Sequence, residues 1–185
     1  MSRSRNSNGV ELYYDTCRTP IGWCAAVTGP AGLKRIFLAE PERKSAEASV
    51  LRQFPGCRVD VEACRGAVAF ISRYFEEGAY ARPPGEFDCE PATAFQRRVW
   101  GLAVTIPFGQ VRSYGWMAVR LGCRGAARAV GSALGRNPLP LIVPCHRIVC
   151  SSGLMGGFSA TGGTALKRVL LEYEGVEFDS HGRVV

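Results

Sequence analysis

At 185 residues and 46% apolar content, the chain is long enough for one large domain or two small ones with packed cores. Its net charge of +7 favours an anionic partner, nucleic acid first and an acidic membrane surface second, with solubility alone as the plain alternative. No window approaches the run of about 18 apolar residues that a membrane span needs, and the polar residues 1–9 lack the apolar centre of a secretory signal, so the expectation is a cytoplasmic protein (nuclear in a eukaryote) with no membrane partner.

Residues 12–17 and 23–27 read as strands on either side of a turn at Pro20-Ile21-Gly22. Gly29-Pro30-Ala31-Gly32 makes a second turn and residues 33–38 a third strand, which together predict an antiparallel meander. Helical spacing follows over 41–54, with Ala46, Val50, Leu51 and Phe54 on one face. It recurs over 64–77, with Val68, Ile71, Tyr74 and Phe75. Gly78, Pro83, Pro84, Gly85 and Pro91 then break the chain, which predicts one domain over residues 1–90 and another over 91–185. Of the eight cysteines, Cys17 and Cys24, like Cys57 and Cys64, are spaced too widely for a tight zinc knuckle. Reduced thiols and no metal are expected, with a structural zinc in the first domain as the alternative.

The second half reads as mostly helical. Thr93 is placed to cap a helix to about residue 103, with Phe95, Val99, Trp100 and Leu102 facing a core. Ile106-Pro107-Phe108-Gly109 ends that segment. Ser113 then caps a short helix over 114–121, Gly122-Cys123-Arg124-Gly125 turns, and a further helix covers 126–135. Two short helices about a glycine-containing turn predict a helix-turn-helix. The second is built from small residues, with Arg128 and Arg136 standing out. Close approach to DNA and close packing against a neighbouring element fit this composition equally.

Residues 139–143 form an apolar run that reads as a buried strand, halted by Pro144 just before Cys145 and His146. A thiol is the strongest neutral-pH nucleophile among side chains, and a nearby base raises its thiolate fraction. Cys145 is therefore the expected centre of the chemistry. Cys145, His146 and Cys150 are not expected to share a metal, since adjacent residues rarely point at one ion.

The order Ser113-Tyr114-Gly115, Arg128-Ala129-Val130-Gly131, Asn137-Pro138, Pro144-Cys145-His146-Arg147, Gly156-Gly157-Phe158-Ser159 and Leu170-Leu171-Glu172-Tyr173-Glu174-Gly175 closely resembles that of the O6-alkylguanine-DNA alkyltransferases, the methylated-DNA–protein-cysteine methyltransferases. The resemblance is strong over residues 93–176. In the first half it is weaker, carried by Thr19-Pro20-Ile21-Gly22 and the strands after it. It implies an α/β (α+β) ribonuclease-H-like domain followed by a mostly helical, winged-helix-like domain with a helix-turn-helix. The implied function is direct, single-turnover repair of double-stranded DNA by a monomer without cofactor. An O6-alkylguanine is flipped out of a duplex held by its minor groove, and its alkyl group passes irreversibly to Cys145.

The resemblance also implies a role for each matching residue. His146 acts on Cys145 through a water, Glu174 orients His146, and Asn137 braces the turn before the nucleophile. Tyr114 and Ser159, with the backbone of Phe158 and Ile148, line the base pocket. Arg128 fills the gap left by the flipped base, and Ser113, Tyr114, Ala127, Ala129, Gly131 and Arg136 meet the DNA. Arg147 is an ion-pair partner. Apart from the resemblance, Cys150 reads as a buried, inert thiol, with a second reactive thiol as the alternative. Ala160 and Thr161 lengthen the loop over the pocket, and Tyr173 stands where the family often has histidine. Cys145 itself argues against an alkyltransferase-like binding module lacking the nucleophile. The small residues of the second helix argue against a major-groove regulator, which reads bases with bulky polar side chains. A thiol hydrolase would want a separate histidine, and His181 lies in a polar tail.

Overall fold

Two glycine-containing turns set the amino-terminal sheet in the computed structural model, which describes residues 10–78, 83 and 85–185. Residues 1–9 and Pro84 of the breaker-rich segment lie outside these. The chain divides into two units, Met1–Glu90 and Pro91–Val185, and the fold is mixed α/β. No helix among the described residues is long and apolar enough to cross a membrane.

In the first unit, β1 (Tyr13–Thr19), β2 (Gly22–Gly29) and β3 (Gly32–Glu40) form the antiparallel meander. Gly22 has φ +117° and a Cβ there would lie 2.8 Å from the Glu40 carbonyl oxygen, so the turn requires glycine. A short β4 (Arg58–Val59) adds to β1 in parallel, giving the order β3-β2-β1-β4. Helix α1 (Arg43–Gln53) buries Ala46 and Val50 in a cluster with Leu12, Tyr14, Ala25, Val27 and Cys57. Leu51, expected on that face, is exposed. Ser49 takes the buried place because its hydroxyl donates to the buried Glu40 carboxylate at 2.9 Å. Helix α2 (Val61–Glu77) begins three residues before the expected start, because the Asp60 carboxylate accepts from the Ala63 amide at 3.0 Å and caps it. Phe70 is buried on its inner face and Val68 only half-buried. Among the described residues, no group of three His, Cys, Asp or Glu side chains is placed to hold a metal ion. Burial pushes the Cys17 and Cys57 thiols up to about 12, so both stay protonated.

In the second unit, Thr93 opens α3 (Ala94–Val104) with a reciprocal capping box. Its hydroxyl accepts from the Gln96 amide, and its own amide donates to the Gln96 side chain at 2.8 Å. The Trp100 indole donates to the Ala133 carbonyl at 2.9 Å and ties this helix to the later segment that carries Ala133. Two-residue strands β5 (Arg112–Ser113) and β6 (Ile148–Val149) pair in parallel. They bring α4 (Tyr114–Arg120), capped by Ser113, beside the nucleophile turn. Helix α5 (Ala127–Gly135) follows α4 through the expected turn, and α6 (Gly163–Tyr173) closes the unit.

The strand expected over residues 139–143 does not form. Prolines at 138, 140 and 144 remove the amide donors a ladder needs, so this apolar stretch is buried as consecutive turns instead. The only strand there is β6, which follows the nucleophile.

Candidate active site

Asn137 holds the turn that carries Cys145. Its side-chain carbonyl accepts from the Leu139 amide at 2.9 Å, and its amide nitrogen lies 2.8 Å from the Val143 carbonyl and 3.2 Å from the Cys145 sulfur. One buried side chain thus closes the turn at both ends and touches the thiol. Cys145 begins a single 3-10 turn, Cys145–Arg147, that leads into β6. The Asn137 contact and the positive charge of Lys167 both favour the thiolate. Burial outweighs them and pushes the thiol up, so it rests protonated at neutral pH.

Beneath the thiol lies a fully enclosed charge cluster. The Glu174 carboxylate accepts from His146 Nε2 at 2.8 Å, from Arg147 Nε and Nη2 at 2.8 Å, and from the Gly109 amide at 3.1 Å. Arg147 Nη1 donates to the Ile106 carbonyl at 2.7 Å. Burial alone would raise the Glu174 carboxyl, but the hydrogen bonds from His146 and Arg147 outweigh it and bring it down to about 2. Burial also lowers His146, against the pull of Glu174, so the imidazole is neutral near pH 7. An ionised carboxylate only accepts hydrogen bonds, so Nε2 carries the ring proton and the basic lone pair sits on Nδ1. Glu174 is thus no solvated helix-end acid but the group that fixes the tautomer of His146.

Lys167, on α6, is the residue that sequence reasoning missed. It is completely buried, donates to the Ile148 and Met155 carbonyls, and lies 5.6 Å from the Tyr114 ring centroid. Burial lowers its ammonium to about 8, and Cys145 and Cys150 partly hold it up. It therefore supplies a mostly retained positive charge beside the thiols at neutral pH.

Above the thiol opens a cavity of about 550 Å³, lined among others by Tyr114, Arg128, Cys145, Phe158 and Ser159. Ala127 and Gly131 also line it, so α5 forms one wall. Burial raises the Tyr114 hydroxyl to about 12, which keeps it a hydrogen-bond donor at neutral pH. A Cβ on Gly131 would sit 3.6 Å from the Tyr114 ring, and one on Gly156 only 2.9 Å from it. The small residues therefore give Tyr114 its place as well as leaving the helix slender.

Several of the expected site residues do not line the cavity. The Ile148 side chain is fully buried away from the cavity, and its carbonyl is taken by Lys167. Ala129 and Arg136 are exposed outside the cavity wall, and the Ser113 hydroxyl caps α4 by accepting from the Trp116 amide at 3.0 Å. Cys150 is half-buried and lines the cavity, so it is not the sequestered thiol expected. Ala160 and Thr161 follow the lining segment without joining it. Tyr173 packs edge-on against Phe108, at 6.2 Å between ring centroids.

The family described as 6-O-methylguanine DNA methyltransferase, DNA binding domain, matches residues 94–176. A methylated-DNA–protein-cysteine methyltransferase of Mycobacterium bovis is 40% identical over 166 residues, covering 88% of this chain and 92% of the relative. The enzyme of the same name from Cricetulus griseus is 31% identical over 175 residues, covering 90% and 83%. Among solved structures, Mycobacterium tuberculosis OGT in complex with DNA superposes with a TM-score of 0.71 at 37% identity, covering 88% of this chain and 93% of that one. With likenesses that span most of both chains, this chain belongs to the methylated-DNA–protein-cysteine methyltransferase family.

Proposed function

We propose that the protein repairs O6-alkylguanine in double-stranded DNA by moving the alkyl group to Cys145, once per molecule. The observation that carries this is the Cys145 thiol at the floor of a base-sized cavity, with His146 and Glu174 behind it and Tyr114 beside it. In the step, the sulfur–carbon bond forms as the carbon–O6 bond breaks, and that electron pair leaves with guanine. The thiol proton passes to His146 Nδ1 through a bridging water. Glu174 stabilises the imidazolium, and Lys167 the thiolate. Tyr114 donates to a guanine ring nitrogen, which offsets the negative charge developing on the leaving base. No cofactor is needed, since sulfur supplies the electrons and the repaired base is the leaving group.

Arg128, exposed at the cavity mouth on α5, enters the stack vacated by the flipped guanine. The slender face of α5 sits in the minor groove, where Ala127, Ala129, Gly131 and Arg136, with Ser113 and Tyr114 of the preceding segment, meet the backbone. Phe158, Ser159 and the backbone near Ile148 hold the base. The first unit is a ribonuclease-H-like domain, the second a winged-helix-like domain that carries the chemistry, and the protein acts as a monomer. The test is a duplex whose O6-methylguanine carries an isotopically labelled methyl group. Label should accumulate on the protein and stop at one equivalent, whereas continued turnover or no transfer would refute the proposal. Replacing Arg128 with alanine should slow repair in duplex far more than reaction with the free alkylated base; equal slowing would exclude the stacking role.

A further inference from the structure

Arg112 and Arg120 both lie over the indole of Trp116, the first guanidinium carbon 5.6 Å from the ring centroid and the second 5.9 Å. The ring is half-buried and Arg120 is exposed. Arg112 is held further by donating to the Val111 carbonyl at 2.8 Å and to the Gln110 side-chain oxygen at 2.9 Å. Those partners are neutral. Elsewhere, exposed arginines face carboxylates, as in Arg43 with Glu47 and Arg168 with Glu172. Around Trp116 the chain offers none in sequence: residues 91–171 hold nine arginines and one lysine, and no aspartate or glutamate.

Two guanidinium groups on one ring repel each other unless an anion answers both, and the ring's attraction for each cation at an exposed site is modest. Arg120 is exposed, and each Arg112 Nη that bonds a neutral acceptor keeps a second N–H, so both guanidinium groups can still donate to phosphate oxygens. The ring contact also restrains two long side chains before any ligand arrives. Arg112 directly precedes Ser113 and Tyr114, which the proposed function sets against the DNA, and Trp116 and Arg120 lie one turn apart on the helix that follows.

We infer that Arg112, Trp116 and Arg120 form a phosphate platform that grips the DNA backbone outside the base pocket. The proposal rests on the repair function above and extends it to a contact beyond α5. DNA is favoured over an acidic protein because the platform is continuous with the helices that flank the lesion pocket.

The test measures affinity of the full chain for a lesion-free duplex across a range of salt concentrations. Replacing both Arg112 and Arg120 with alanine should lower the slope of log affinity against log salt by about 2, and weaken binding roughly 30-fold near about 0.15 M salt. Replacing both with lysine should keep the slope. Reaction with free O6-alkylguanine base, which does not reach the platform, reports whether the pocket is intact. An unchanged slope in the double alanine variant would overturn the platform alone, including a case where that variant instead loses self-association or an acidic protein partner. A wild-type protein with no affinity for duplex would overturn both the platform and the repair function.

Discussion

Lys167 lies on the buried stripe of α6, in step with Leu166, Leu170 and Leu171. A lysine in a leucine stripe is costly to bury unless paired, and that misplaced charge was the available sign of its role. Cys145, His146 and Glu174 were legible because their order in the chain is distinctive. The tautomer of His146 was not, because it depends on Glu174 arriving from the end of α6. Replacing Lys167 with methionine removes a positive charge that favours the Cys145 thiolate. The Cys145 thiolate should then form only at higher pH, seen as an upward shift in the pH profile of iodoacetamide labelling. An unshifted profile would show that the ammonium does not act on the sulfur.

Among the elements, the turn between α5 and β6 is the one that sequence patterning misread. Apolar content suggested a strand over residues 139–143, yet prolines denied it a ladder, and one asparagine supplies the hydrogen bonds a strand would have made. Helix ends were easier, since Thr93 and Ser113 cap locally and need no distant partner. The early start of α2 at Asp60 shows the same local logic where it was overlooked. Leu51 is exposed where burial was expected, and Ser49 is buried instead because the buried Glu40 carboxylate, nine residues earlier, takes its hydroxyl as a donor. Removing the Asn137 side chain with alanine leaves the Leu139 amide buried without its partner and the Val143 carbonyl with the Cys145 amide alone. We expect a loss of about 1–3 kcal/mol in urea unfolding; a loss below about 0.5 kcal/mol would mean that the turn is held by something else.

At the scale of the whole molecule, acid should unfold the protein through the cluster under the active site. His146 is depressed below its ordinary 6.5, so below that pH the unfolded chain binds the extra proton and stability falls. Glu174, brought from 4.5 to about 2, contributes stability that is complete above 4.5 and is lost as pH drops toward about 2. Both groups act in the same direction. The urea midpoint should fall in two limbs, one beginning near 6.5 and one below 4.5. Replacing His146 with asparagine should flatten the first limb, and a midpoint insensitive to acid in the wild type would contradict the buried cluster. The charge balance adds a second molecular feature. The carboxyl-terminal unit carries eleven basic and four acidic side chains, so the net charge of +7 belongs to the part that holds the cavity. Composition made the excess visible; only the division into units located it. The most direct measurement is peptide mass mapping after the protein meets duplex DNA containing O6-methylguanine. One added methyl group is predicted on the peptide, located at Cys145, with Cys150, which also lines the cavity, unmodified. A methyl group on Cys150, or an unmodified Cys145 in a folded protein, would contradict that assignment.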